Sequence, residues 1–367
     1  MYSSILCTKQ LRGIKSYQIF NTFDLSILIM SKKPTSHLKK SEILQRFGTE
    51  SKNPIALSNS IAKGNIAALS TAITLSESTL DQKQKLAQEI LSNLNQTQKT
   101  TWRIGISGVP GVGKSTFIES FGNLLIEKGK KVAVLAVDPS SSLNKGSILG
   151  DKTRMEKLVQ SENAYIRPSP SSSNLGGVSV RTKDAITLCE AAGFDIIIIE
   201  TVGVGQSETA VANLVDFFLL LKIPGAGDEL QGIKRGILEL CDTIVINKSD
   251  LGSGELAKRT FENSLHLLQL KEEFWVPSVH LVSSLKNEGL EEVYRQLVNY
   301  FQKSIENDNF IRKRESQNRQ FLNQEFDQHL MALIQKDARV QEFQSQLQSG
   351  TLSLREVKIL LKDLFSN

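Results

Sequence analysis

The chain has 367 residues, 40% hydrophobic and 23% charged, and its 44 basic and 39 acidic residues leave a net charge of +5. These values exclude a disordered chain and give little support to nucleic-acid binding. Cys7, Cys189 and Cys241 form no CxxC pair, which argues against a disulfide framework. No apolar run reaches the roughly 18 residues of a membrane span. We therefore expect a globular protein that binds neither nucleic acid nor membrane.

Residues 1–55 are predicted to be a leader and mobile segment that does not belong to the fold. Up to Asn21 they carry Lys9, Arg12 and Lys15 and no acid, which resembles a weak mitochondrial presequence. The alternative is that Met30 is the true start. The first interpretation predicts the mitochondrial matrix; the second, which we prefer, predicts the cytoplasm.

Residues 56–100 form a predicted helical extension, because their apolar residues recur at helical spacing. Residues 101–308 alternate short apolar runs with amphipathic stretches, the βαβ rhythm of a doubly wound sheet. Continuously apolar runs are typical of strands covered on both faces, as in a mostly parallel sheet. The predicted fold class is therefore α/β, and its strands are RIGIS, VAVLAV, AYIRP, DIIIIE, VDFFLLL, TIVINK and VHLVSS.

Residues 309–367 contain no predicted strand. Their apolar positions recur at helical spacing on both sides of Gly350, so we expect a helical pair with a turn at that glycine. This tail serves either as a cap on the core or, as we prefer, as a dimerisation arm.

The stretch GVPGVGKST after the first predicted strand satisfies the phosphate-loop pattern G-x-x-x-x-G-K-[ST] and opens a predicted helix. Backbone N–H groups of such a loop face the β-phosphate, helped by the positive end of the helix. The lysine reaches the β- and γ-phosphates, and the serine offers its hydroxyl to Mg²⁺. The predicted nucleotide-binding residues here are Gly108, Val109, Pro110, Gly111, Val112, Gly113, Lys114, Ser115 and Thr116.

The stretch NKSD at the end of the strand TIVI indicates that the base is guanine. Asp250 would accept hydrogen bonds from N1–H and the 2-amino group, two donors that adenine lacks. Asn247 would bind N7, and Lys248 would lie along the base and ribose. After the last core strand come Ser283, Ser284 and Leu285, and the Ser284 N–H would donate to guanine O6. The predicted ligands are GTP and GDP.

Acidic residues at strand ends are candidates for magnesium binding and catalysis. Glu200 ends the strand DIIIIE, where it would hold Mg²⁺ through a water, and the following Gly203 would touch the γ-phosphate. Asp138 ends VAVLAV, and Asp151 lies in the Ser- and Gly-rich loop that follows it. The predicted metal ligands are Ser115, Asp138, Asp151 and Glu200, and the predicted catalytic residues are Lys114 and the three acids.

The residue after Gly203 is Val204, where fast small GTPases place the glutamine that orients the attacking water. We therefore expect slow basal hydrolysis that a rearranged loop or a partner accelerates.

Together, GISGVPGVGKSTFIE, AVDPSSSLNKGSILGDKTRM, SPSSSNLGGVS, GFDIIIIETVGVGQSE and PGAGDELQGIKRGI resemble the MeaB/ArgK family of SIMIBI-class GTPases. The resemblance covers residues 56–290 closely and implies a homodimeric GTP-hydrolysing chaperone of adenosylcobalamin-dependent methylmalonyl-CoA mutase or a related acyl-CoA mutase. It assigns the phosphate lysine to Lys114, the magnesium and catalytic acids to Asp138, Asp151 and Glu200, and the guanine motif to residues 247–250. It also implies two switch loops at 140–154 and 200–208, and a third at 225–234 that signals to the mutase.

Two other functions share the phosphate loop. A kinase, as older descriptions of this family have it, would gain nothing from NKSD. A nickel metallochaperone usually adds clustered His or Cys ligands, whereas His37, His266, His280 and His329 are scattered. We keep both as alternatives.

Overall fold

The structure is a computed structural model that describes residues 53–94, 100–138, 155–170, 175–201, 206–225, 235–267 and 274–364. Most of the predicted leader, and residues 140–154, 202–205 and 226–234 of the predicted switch loops, lie outside these ranges.

Seven parallel strands form one sheet, so the prediction of an α/β fold with a mostly parallel sheet is confirmed. The strand order is β3-β2-β4-β1-β5-β6-β7, and every neighbouring pair is parallel. All seven predicted apolar runs contribute a strand: β1 Trp102–Gly108, β2 Val132–Asp138, β3 Ala164–Pro170, β4 Ile196–Thr201, β5 Phe217–Lys222, β6 Thr243–Ile246 and β7 Ser278–Leu281.

Helices connect the strands and flank the sheet. Before the sheet come α1 Pro54–Ala62, α2 Ile66–Ser76 and α3 Asp81–Ser92. Between the strands lie α4 Lys114–Glu127, α5 Glu156–Gln160, α6 Leu175–Ala191, α7 Gln206–Ala212, α8 Arg235–Leu240 and α9 Gly254–His266. A 3₁₀ turn spans Ser249–Leu251, and the chain continues in α10 Leu290–Glu306, α11 Asn309–Lys336, α12 Ala338–Gln348 and α13 Leu354–Leu364.

Successive side chains of a strand point to opposite faces of the sheet, so the apolar strands build two separate cores. Ile197 and Ile199 of β4 belong to one apolar cluster, with α6, α7 and the three N-terminal helices. Ile196 and Ile198 belong to the other cluster, with α4 and α10. All four isoleucines are buried. The sheet is therefore covered on both faces, which is why its strands are apolar throughout.

The N-terminal helices share the core of the sheet. Leu69 and Ile73 of α2 are buried in the same cluster as Cys189 of α6. At the edge of this contact the Tyr165 and Ser70 hydroxyls lie 3.2 Å apart. The predicted helical extension is thus packed directly on the sheet, while the domain boundaries at 55, 100 and 308 stay predictions.

The C-terminal region differs from the predicted helical pair, because its first part is two helices, α11 and α12. Asp337 separates them in an extended conformation, with ψ of 125°, and its carboxylate accepts a hydrogen bond from the Arg339 N–H at 2.9 Å. This N-cap starts a new helix, which the apolar spacing alone did not indicate. The second break falls at Gly350, as predicted.

None of the helices in the described part of the chain is long and apolar enough to cross a membrane.

Candidate functional site

The predicted phosphate loop connects β1 to α4 in a conformation that depends on its glycines. Gly111 and Gly113 have φ of +84° and +91°, a region that other residues rarely adopt. A Cβ on Gly108 would lie 2.7 Å from the carbonyl oxygen of Leu221, and a Cβ on Gly113 would lie 2.8 Å from Nδ2 of Asn247. The loop therefore needs glycine both for its backbone angles and for its close contact with neighbouring segments.

Lys114 is the first residue of α4, and its side chain turns back over the loop. Its ammonium donates a hydrogen bond to the Gly108 carbonyl oxygen at 2.7 Å and approaches that of Val109 at 3.4 Å. Burial lowers the pKa of this lysine, while the charges of Glu200 and Glu208 raise it. Ser115 is half-buried and Thr116 exposed in the same first turn. The ammonium thus lies at the loop with two carboxylates within electrostatic reach.

The predicted metal-binding acids are described only in part. Glu200 is in register with Ile106 of β1 and Ala136 of β2, so it lies near the carboxyl ends of these strands, where the phosphate loop begins. Asp138 is the last residue of β2, at the same end of the sheet. Its side chain, and both Asp151 and Gly203, lie outside what the structure describes. Among the described residues no group of three His, Cys, Asp or Glu side chains could hold a metal ion.

Asn247 joins the predicted guanine motif to the phosphate loop. Its buried side chain donates from Nδ2 to the Val112 carbonyl oxygen at 2.9 Å. Its Oδ1 accepts from the backbone N–H of Ser284 at 3.1 Å and from the Ser284 hydroxyl at 2.7 Å. The Ser284 N–H that the sequence assigns to guanine O6 is therefore engaged by Asn247, and a contact with O6 would have to share it.

The remaining residues of the guanine motif lie next to Asn247. Lys248 donates from Nζ to the Gly111 carbonyl oxygen at 2.9 Å, so this lysine spans the phosphate loop. Asp250 is exposed, and the hydroxyl of Ser283 lowers the pKa of its carboxyl group. Leu285 is 81% exposed beside it. The structure thus places an ionised carboxylate, a lysine stem and an apolar side chain around one exposed surface.

Two features of the site were not singled out in the sequence. Thr201 donates from Oγ1 to the Ser107 hydroxyl at 2.9 Å, which joins the ends of β4 and β1. Glu208 of α7 is only 3% exposed although it is a carboxylate. Its position three residues before the apolar Val211 could have indicated that it faces the sheet, because residues three apart share a helix face.

A cavity of about 770 Å³ lies elsewhere, and Asn213, Phe274, Asn309 and Gln317 contribute to its wall. Asn213 and Phe274 precede β5 and β7, so this cavity lies at the amino ends of the strands, opposite the phosphate loop. None of the predicted nucleotide-binding residues lines it.

The family described as "Methylmalonyl Co-A mutase-associated GTPase MeaB" matches residues 69–339. The chain belongs to the MeaB family of GTPases. The match spans the sheet, the phosphate loop and the guanine motif, so the resemblance inferred from the sequence motifs is confirmed.

Named relatives support this assignment over most of the MeaB-family chain. GTPase ArgK of Escherichia coli is 48% identical over 254 residues, which cover 68% of this chain and 77% of the relative. Methylmalonic aciduria type A homolog, mitochondrial, of Mus musculus is 44% identical over 323 residues, 82% of this chain and 77% of the relative. A crystal structure of an LAO/AO transport system kinase has a TM-score of 0.69 at 32% identity, covering 90% of this chain and 100% of that one. The protein is accordingly a phosphate-loop GTP hydrolase that binds guanine nucleotides.

Proposed function

We propose that the triphosphate binds the loop 108–116 through backbone N–H groups and Lys114, and that Asn247, Lys248 and Asp250 bind guanine together with Ser283, Ser284 and Leu285. The support is the direct connection between the two halves. Asn247 contacts Val112, and Lys248 contacts Gly111. Because these bonds fix the distance between the loop and the base-binding residues, one nucleotide can reach both.

Magnesium fits the oxygen donors at the carboxyl ends of the strands next to the phosphate loop, because it prefers hydroxyl, carboxylate and phosphate oxygens. Ser115 lies in the first turn of α4 and Glu200 at the end of β4, both next to the loop. We propose that these residues, with Asp138 and Asp151, hold the ion. When bound, Mg²⁺ neutralises negative charge on the β- and γ-phosphates.

In hydrolysis the chain's own residues orient the triphosphate. Lys114 places a positive charge at the phosphates, and the preorganised N–H groups of the loop stabilise charge that develops on phosphate oxygens. Gly203 is proposed to donate its N–H to the γ-phosphate. Val204 cannot orient a water, so basal hydrolysis is proposed to be slow.

We further propose that GTP binding and hydrolysis gate the loading of adenosylcobalamin into a methylmalonyl-CoA mutase or a related acyl-CoA mutase, and help to expel damaged cofactor. The observation that carries this proposal is the match of residues 69–339 to a family described as mutase-associated. Only GTP supplies a γ-phosphate to hold the loops at 140–154 and 200–208. A third loop at 225–234 would then present different contacts to the mutase in the two nucleotide states.

The C-terminal helices are proposed to form a homodimer. Leu322, Phe326, Leu330 and Leu333 of α11 recur at three- and four-residue spacing and are 67%, 66%, 43% and 55% exposed. Such a stripe of exposed apolar side chains on one helix face is typical of an association surface. A second copy of this chain would cover it.

The mutase proposal is tested by immobilising the full chain and adding a purified cobalamin-dependent acyl-CoA mutase with a non-hydrolysable GTP analogue, with GDP, or without nucleotide. We expect the amount of mutase retained to differ between the GTP analogue and GDP. Absence of retention in all three conditions, with the nucleotide bound, would contradict the mutase role and leave the GTPase assignment intact.

A further inference from the structure

Glu208 is a buried carboxylate, and one of its oxygens has no hydrogen-bond partner in the part of the chain that the structure describes. Its residue is 3% exposed, and Oε2 is buried with no partner among the described residues. A buried charge of this kind is unfavourable unless another charge or a ligand compensates it. We therefore expect a group near Glu208 that compensates its charge.

The packing of α7 directs Glu208 toward the phosphate loop. A Cβ on Gly105 of β1 would lie 3.3 Å from Cγ1 of Val211, so α7 lies tightly on this strand. The helix runs from the carboxyl end of β4 toward the amino end of β5. Glu208 lies one turn before Val211, on the same face and closer to the carboxyl end of the sheet.

Lys114 is one of the lysines at that end of the sheet. Its ammonium donates to the carbonyl oxygen of Gly108, the residue that ends β1. Glu208 acts electrostatically on Lys114, as does Glu200. Glu208 therefore lies within electrostatic reach of the group that is proposed to bind the β- and γ-phosphates.

We propose that Glu208 is a positioning residue that acts as the internal counter-anion of Lys114 in the nucleotide-free protein and competes with the triphosphate for it. The inference rests on the proposed nucleotide site. Nucleotide binding brings phosphate charge toward this carboxylate and draws the Lys114 ammonium to the phosphates, and both effects weaken affinity. Because α7 follows the loop proposed to contact the γ-phosphate, the effect is larger for GTP than for GDP.

The test compares Glu208→Gln, Glu208→Asp and Glu89→Gln with the wild type by calorimetry of Mg-GTP and Mg-GDP binding. Glu89 is exposed on α3 and controls for the change in net charge. We expect Glu208→Gln to bind GTP on the order of tenfold more tightly, with a smaller gain for GDP. The KM for GTP falls in parallel, because KM follows affinity when chemistry is slow. Glu208→Asp keeps the charge and stays closer to the wild type, and Glu89→Gln binds as the wild type does.

Unchanged or weaker GTP binding by Glu208→Gln would overturn the proposal, since the carboxylate would then support the nucleotide or only the fold. Thermal unfolding of the nucleotide-free proteins separates these cases. We expect the Tm of Glu208→Gln to be lower than that of the wild type, because the substitution leaves the Lys114 ammonium without its counter-anion. A higher Tm would contradict the counter-anion role. Failure of the wild type to bind GTP would instead contradict the nucleotide site itself.

Discussion

Asn247 donates a hydrogen bond from its side-chain amide to the Val112 carbonyl oxygen over 2.9 Å, which ties the end of β6 to the phosphate loop. The same side chain accepts two hydrogen bonds from Ser284. Three segments far apart in the sequence therefore meet at one buried amide. Together with the hydrogen bond from Lys248 to the Gly111 carbonyl oxygen, this amide fixes the geometry of the proposed nucleotide site.

Asn247→Ala is expected to lower the free energy of unfolding by about 2–4 kcal/mol, because it removes three hydrogen bonds and leaves buried partners unsatisfied. GTP affinity should fall at least about tenfold, since the two halves of the proposed site lose the buried one of their two connections. Urea denaturation and calorimetry measure the two effects. The control is Asn163→Ala, at an exposed residue. Equal stability of the two variants would show that Asn247 does not join these segments.

Asp250→Asn is expected to shift the base preference from guanine toward xanthine, because an amide donates a hydrogen bond where the carboxylate accepts one. The hydroxyl of Ser283 holds the pKa of the Asp250 carboxyl below its usual range, so the preference of the wild type for guanine should not change from about pH 5 to about pH 8. Competition between GTP and XTP measures the preference. Asp81→Asn, in an exposed position of α3, is the control. If Asp250→Asn still preferred GTP as the wild type does, the assignment of Asp250 to the base would be wrong.

The sheet and the position of the phosphate loop could be predicted from the sequence because their signals are local. A short, continuously apolar run such as DIIIIE favours a buried strand, and the glycines of the loop are required by its backbone. The break at Asp337 could not be predicted in this way, because it depends on one capping hydrogen bond to Arg339. The engagement of Ser284 by Asn247 depends on tertiary packing, which apolar spacing does not encode, whereas the spacing of Glu208 to Val211 could have indicated its burial.

Asp184 should make stability depend on pH. Burial, with a smaller contribution from Glu325, raises its pKa to about 6, whereas Lys183 lowers it. The folded state then binds more protons than the unfolded state between about pH 4 and pH 6, so stability falls as the pH rises through this window. Asp184→Asn removes the effect and should stabilise the protein by about 1–3 kcal/mol at about pH 7.5, with no gain at about pH 4.

Chemical denaturation at several pH values measures this difference. Asp327→Asn, at an exposed position of α11, makes the same change in charge and should leave stability unchanged. A loss of stability in Asp184→Asn at about pH 7.5 would mean that the ionised carboxylate stabilises the fold.

Phe326→Glu is expected to dissociate the proposed dimer, because it places a charge in the exposed apolar stripe of α11. Light scattering should give the wild type twice the chain mass of 40.7 kDa and the variant one chain mass. Gln328→Glu adds the same charge at another exposed position of the helix and should remain dimeric. A dimer in both variants would place the interface elsewhere.

The most direct test of the proposed function measures cofactor loading. Purified protein, cobalamin-dependent acyl-CoA mutase and adenosylcobalamin are mixed with GTP or with a non-hydrolysable analogue, and mutase-bound cofactor is quantified by absorbance. Lys114→Ala serves as the control, since it lacks the ammonium proposed to bind the phosphates. We predict that loading differs between GTP and the analogue with the wild type and does not differ with Lys114→Ala. Identical loading with both nucleotides in the wild type would contradict the proposal that this GTPase gates a mutase.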